Sequence, residues 1–246
     1  VSFPQSKFQF TPEEYLTFER TAEVKHEYID GFIYAMAGAS PAHNQICFNL
    51  TGELYLQLRG TECRGFTSDQ KIRTDLQDLF SYPDITIVCG APLFHDNHKD
   101  VILNPKVIVE VLSPSTEARD RTEKFARYRT IKSLTDYLLI AQDGASVEHY
   151  TRLKGNQGWG YEQARELAEE IKIVSINCTL KLADIYDRIA FPPPKPILVP
   201  LSAEEVQARP AKSGAAKTKA AQTKAAQTKA AQTKAAQTKA GRSNKA

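Results

Sequence analysis

The sequence predicts an α/β fold, a central mixed β-sheet flanked by helices, with a disordered basic tail behind it. Three observations predict it. Short continuous apolar runs at residues 85–89, 107–112 and 137–141 read as strands covered on both faces. Helix signals alternate with those runs, giving the order helix, hairpin, helix, strands, helix, strand. The pattern then stops at Phe191-Pro-Pro-Pro-Lys195-Pro, where successive prolines favour extended polyproline II. At 41% hydrophobic and 25% charged residues over 246, the composition suits one ordinary globular domain with an appended segment.

The elements follow in order. Thr11-Pro12-Glu13-Glu14 starts a helix, with Thr at the cap, Pro in the first turn and Glu three residues after the cap. Two β-prone runs flank Asp30-Gly31, a two-residue hairpin signal. Ser40-Pro41 opens a second helix, on which Ile46, Leu50, Leu54 and Leu58 recur at steps of four before Gly60 closes it. Residues 63–73 read as one strand followed by a polar loop. After Ser113-Pro114-Ser115-Thr116 a helix runs to about Ile131, and Asp143-Gly144 turns the strand at 137–141 back into 147–153. A segment at 171–176 and a short helix at 182–189 finish the domain. The expected division is a folded domain over 1–192, a Pro-rich linker over 193–211 and a low-complexity tail over 212–246.

That tail repeats AAQTK. It has no aromatic, leucine or β-branched aliphatic side chain, so it cannot bury enough apolar surface to offset its ordering entropy. Residues 212–246 carry nine basic side chains and no acidic one, so the +3 of the whole chain leaves 1–211 at −6. A basic tail on an acidic domain suits a polyanionic partner, with a solvated appendage as the alternative. Lys217, Lys219, Lys224, Lys229, Lys234 and Lys239 are the candidate phosphate contacts. No apolar run approaches the ~18 residues that cross a bilayer, and VSFPQSKFQF lacks the layout of a signal peptide. Cys47, Cys63, Cys89 and Cys178 form no CxxC pair. They are expected to be buried free thiols, which favours a cytoplasmic home and disfavours a zinc site built on these four.

Glu110 is the anomaly of the sequence. It sits amid Val107, Ile108, Val109, Val111 and Leu112, where an unpaired carboxylate costs several kcal/mol. The preceding apolar run begins at Pro83-Asp84, placing a second carboxylate at a strand end. Two such acids suit Mg²⁺, a hard ion that takes one or two protein carboxylates together with waters and phosphate oxygens. The bland reading is an Asp in a turn and a Glu paired with an Arg.

Pro83-Asp84 followed by Glu110 is similar to the signature of the PD-(D/E)xK nuclease superfamily, although Leu112 stands where the signature has lysine. The stretch NPKVIVEVLSPSTEARDRTEKFARYRTIKSLTDYLLI, with the hairpin EYIDGFIYAMAG before it, resembles the Uma-type restriction-endonuclease family over roughly residues 11–190. In that family E-V-L-S-P-S leads into a helix carrying D-R-x-x-K-x-x-x-Y, matched here by Asp120, Arg121, Lys124 and Tyr128. The resemblance implies a restriction-endonuclease-like core and a Mg²⁺-dependent endodeoxyribonuclease, with Mn²⁺ as a possible substitute. Asp84 and Glu110 would hold the metal, and Lys124 would replace the missing lysine. Asp120, Lys124 and Tyr128 share one helix face at i, i+4, i+8, an arrangement that an exposed ion pair also produces. Glu27 matches the acid before the hairpin turn and is a candidate for the metal shell, with an exposed strand glutamate as the alternative. His43 either touches the site or caps its helix.

Asp69-Gln-Lys71 mimics D-x-K but precedes the Pro-Asp element, and is expected to be a decoy. His95-Asp-Asn-His98 is expected to be a solvated loop. DNA is the expected partner, with a possible homodimer for cutting two strands and no membrane. The competing reading is a catalytically inactive nuclease-fold protein for DNA binding or assembly, supported by Leu112. A sugar hydrolase using Asp84 and Glu110 as acid and base is a further alternative. It needs an aromatic-lined groove, and Trp159 is the only tryptophan.

Overall fold

The computed structural model describes residues 9–74 and 79–193. The described residues end at Pro193, where the chain divides in two. The linker beyond Pro193 and the lysines of the tail lie outside the described residues.

Helix α1 (Pro12–Glu19) is held by the predicted capping box: the Glu14 amide donates to Thr11 Oγ1 at 3.2 Å and the Thr11 amide to Glu14 Oε2 at 2.8 Å. Strands β1 (His26–Ile29) and β2 (Phe32–Ala35) pair antiparallel across Asp30 and Gly31. Both turn residues have positive φ, 49° and 89°, as a two-residue hairpin of this twist requires. A side chain at Gly31 would also press on Gln9. Helix α2 (Pro41–Leu58) starts at Ser40, whose hydroxyl accepts from the His43 amide at 3.0 Å and donates to Gln142 Oε1 at 2.6 Å.

Residues 63–73 do not form one strand. β3 (Cys63–Thr67) and β4 (Lys71–Thr74) are separated by a turn in which the Gln70 amide donates to the Thr67 carbonyl. They belong to different sheets. A five-stranded sheet runs β2-β1-β5-β4-β7, with β5 (Leu79–Ser81) and β7 (Val101–Ile102). A six-stranded sheet runs β11-β10-β9-β8-β6-β3 and includes β6 (Ile85–Cys89), β8 (Val107–Val111), β9 (Asp136–Ile140), β10 (Val147–Arg152) and β11 (Trp159–Ala164). It is mixed, since β8 and β9 are parallel while its other neighbours are antiparallel. β12 (Glu170–Ile173) and β13 (Cys178–Lys181) make a small third sheet, followed by α5 (Leu182–Ile185).

The helix expected up to about Ile131 is shorter and interrupted. Glu117–Arg119 (α3) and Phe125–Tyr128 (α4) are joined by a π-helical turn, Asp120–Lys124. The cysteine expectation also needs correction. Cys63 and Cys89 sit directly opposite each other on β3 and β6 and form a disulfide, leaving Cys47 and Cys178 as free thiols. The two partners are 26 residues apart in sequence, so nothing in their spacing announces the pair.

The central strands β6, β8 and β9 of the six-stranded sheet are buried on both sides, and the period of two along a strand sorts their residues. Val107, Val109 and Val111 pack with Ile85, Ile87 and the Ile46-Leu50-Leu54-Leu58 stripe of α2. Ile108 and Leu112 face the other way, onto Tyr128, Ile131, Tyr137 and the five-stranded sheet. Alternation gives Glu110 to this second face, between the sheets. Among the described residues no helix is long and apolar enough to cross a membrane.

Candidate active site

Glu110 is 4% exposed, and its Oε1 accepts from the Lys124 ammonium at 3.1 Å and from the Tyr128 hydroxyl at 2.9 Å. The π turn carries Asp120 and Lys124, and α4 carries Tyr128; all three side chains point inward. Lys124 Nζ lies 2.9 Å from Glu27 Oε1 and 3.3 Å from Asp120 Oδ1 as well. Three carboxylates from three elements thus surround one ammonium. Ser81 Oγ, at the end of β5, contacts the Tyr128 hydroxyl at 2.9 Å and fixes its direction.

Asp84 joins this group through strand pairing. β6 and β8 are antiparallel with Ile85 opposite Val109, so continuing the register by one residue brings Asp84 level with Glu110. The Val111 amide donates to Asp84 Oδ2 at 2.7 Å, tying the carboxylate to the end of β8. His43 Nε2 lies 3.3 Å from the same oxygen, and its Nδ1 lies 3.6 Å from Cys47 Sγ.

The electrostatics follow from crowding acids in a dry place. Burial pushes the Glu110 carboxyl up; the Lys124 ammonium opposes this, while Asp120, Asp84 and Glu27 add to it, leaving it at about 8. Asp120 is raised in the same way, by burial against the pull of Lys124. Burial works against a charge on Lys124, yet Glu110, Glu27 and Asp120 hold its proton well above the ordinary range. His43 is raised too: desolvation is the largest single influence and opposes its charge, but the hydrogen bond and charge of Asp84, the Val111 backbone and the charge of Asp120 together outweigh it. The pocket attracts positive charge.

A divalent metal fits this donor set. The carboxylate oxygens are hard ligands, and Glu27 Oε1 and Asp120 Oδ1 are buried with the Lys124 ammonium as their ion-pair partner and no hydrogen bond besides it. An excess of acids over bases in a buried pocket is a standing demand for a cation.

The sequence candidates Glu27, Asp84, Glu110, Lys124, Tyr128 and His43 therefore lie in one neighbourhood. Glu27 is 6% exposed, not a solvent-facing strand residue. His43 does more than start its helix. Asp120 was visible as part of the helix pattern but not as a member of the site, and only the π turn shows it facing the ammonium. Ser81 and Cys47 carried no signal, being ordinary residues in ordinary segments. Asp69 and Lys71 do not meet: Asp69 pairs with Lys25, and Lys71 with Asp100 and Tyr82. Around His95 and His98 the loop is structured by Arg20, which binds Asp96 at 2.7 Å, while His98 itself is exposed.

Comparison with known proteins gives the family and the fold. The sequence model of the Uma2 family, described as "Putative restriction endonuclease", matches residues 12–182. An uncharacterized protein of Synechocystis sp., slr1290, is 34% identical over 189 residues, covering 76% of this chain and 97% of that protein. A second Synechocystis protein, sll1609, also uncharacterized, is 40% identical over 149 residues, 61% of this chain and 84% of its own length. The fold is similar to a crystal structure from Anabaena variabilis titled as a putative nuclease belonging to DUF820. The two align with a TM-score of 0.58 at 19% identity, over 71% of this chain and 96% of that one. With the family match running from α1 to the first residue of α5, this chain belongs to the Uma2 family.

Proposed function

We propose that this protein is a divalent-metal-dependent endodeoxyribonuclease of PD-(D/E)xK type, hydrolysing phosphodiester bonds in DNA. The observation that carries the proposal is the position of Lys124. Leu112, where the signature has lysine, is buried among Ile108 and Tyr128, and the ammonium arrives from the following helix at 3.1 Å from Glu110.

Asp84 and Glu110 would hold the metal, with Glu27 as a further ligand. Mg²⁺ is the expected ion and Mn²⁺ its substitute. When bound, such an ion polarises a phosphoryl oxygen and supplies a water of lowered pKa. Lys124 keeps its proton and offers it to the negative charge that grows on the phosphoryl oxygens. Tyr128, held by Ser81, fixes the rotamer of Glu110, and the Val111 amide fixes that of Asp84. The acidic domain gains affinity for DNA from the lysine-bearing tail, which acts on phosphates without reading sequence.

Plasmid nicking across Mg²⁺ and Mn²⁺ tests the reading. Glu110→Gln is expected to lower cleavage by about 100-fold or more with an unchanged thermal midpoint. Full activity in that variant removes the assignment. A wild-type chain that binds DNA but never nicks it selects the inactive nuclease-fold reading instead.

A further inference from the structure

We propose that His43, Cys47 and Asp84 form a second metal site, one that takes a borderline ion such as Zn²⁺ in preference to Mg²⁺. His43 and Cys47 are one turn apart on α2, where i, i+4 spacing stacks imidazole and thiol on the same face. Asp84 approaches from the start of β6. One donor atom from each of the three lies within 4.8 Å of the other two, the only such His/Cys/Asp/Glu trio among the described residues. Zinc bonds of about 2.0–2.3 Å set tetrahedral donors roughly 3.5 Å apart, so closing on an ion takes a rotamer adjustment in which one His43 nitrogen, now turned to Asp84 or to Cys47, takes the metal instead.

The donors decide the ion. Imidazole and thiolate favour zinc, whereas magnesium takes oxygen. Three protein ligands leave a fourth position open to water or a phosphate oxygen. Thiolate and carboxylate together neutralise the dication, and the neighbouring Glu110 adds to the attraction. Binding exchanges the Cys47 thiol proton, and any second proton on the His43 ring, for the metal; the protons leave to solvent. Cys47 is only partly buried, so the site opens to ions from outside.

Asp84 belongs to both sites. An ion held by His43 and Cys47 therefore draws a ligand away from the Asp84–Glu110 centre, making zinc an inhibitor of cleavage. That consequence rests on the nuclease reading; the binding itself does not.

The test uses the full chain titrated with Co²⁺, a spectroscopic substitute for zinc, followed by displacement with Zn²⁺. Expected is one equivalent giving thiolate-to-cobalt charge-transfer absorption that zinc bleaches. Cys47 and Cys178 are the free thiols, and Cys178 is buried against the Ile176 carbonyl, so the band is assignable. Cys47→Ser abolishes it, with Cys47→Ala as a second variant should Ser disturb folding. His43→Gln weakens zinc binding by about 10–100-fold. Glu110→Gln keeps the band even though it removes cleavage, which separates this proposal from the nuclease reading. Absence of a charge-transfer band, or its survival in both Cys47 variants, overturns the site.

Discussion

A carboxylate inside a strand of valines and isoleucines needs a partner, and Glu110 has two: the Lys124 ammonium and the Tyr128 hydroxyl. Lys124→Ala leaves Glu110, Glu27 and Asp120 facing one another without a cation. Loss of a donor aimed at developing phosphoryl charge is expected to lower cleavage by about 10²–10³-fold, read in single-turnover assays on plasmid DNA. Glu110 was legible in the sequence because its neighbours are uniformly apolar. Glu27 was ambiguous, because a short strand of His, Glu, Tyr and Ile says nothing of what covers it. A second buried charge pair lies apart from the site. His149 bonds Asp136 at 2.8 Å and Glu162 at 2.7 Å. Burial opposes charge on both, but hydrogen bonds win, raising His149 and lowering Asp136. The lowered acid stabilises the fold above its unfolded pKa of about 3.9, and that is lost as pH falls. The raised imidazole stabilises it below about 6.5, and that is lost as pH rises through its folded value. Thermal midpoints are therefore expected to peak between about pH 4 and 6.5 for this pair, and His149→Gln should flatten the alkaline limb.

At the scale of elements, local chemistry was the most readable. The capping box of α1, the Asp30-Gly31 hairpin and the apolar stripe of α2 all rest on interactions within a few residues. Ser40 shows a limit, since it caps α2 and also reaches Gln142 from a distant segment. Ser40→Ala is expected to cost about 1–2 kcal/mol, at the upper part of the range for a lost cap, measured by urea unfolding. What sequence could not show was long-range choice. Residues 63–73 read as one strand, but Ser68-Asp69-Gln70 turns the chain before Lys71 and sends the two halves to different sheets. The π turn is equally hidden, because Asp120, Lys124 and Tyr128 keep helical spacing on paper. It widens the helix where Asp120 and Lys124 enter the pocket, a placement that π turns often take at functional sites.

For the whole molecule, the α/β order and the burial of both faces of the central strands β6, β8 and β9 followed from continuous apolar runs. The partition into five-, six- and two-stranded sheets did not, since pairing partners lie far apart in the chain. The charge split between residues 1–211 and the tail carries its own prediction. A chain ending at Ser213 should bind DNA more weakly, with a shallower dependence of log K on log salt, about 0.9 less steep for each lysine that contacts a phosphate. Fluorescence anisotropy at several salt concentrations reads this directly, and an unchanged slope would leave the tail without a part in binding.

The ammonium that sits on a helix while its acid sits on a strand changes how relatives of this chain must be sought. A search that counts two positions onward from Glu110 meets a leucine and scores the chain as broken. A pattern that reads fourteen residues onward from Glu110 meets Lys124 instead. Kin with the same layout are sought by that longer spacing, and by superposition where the sequences have drifted apart.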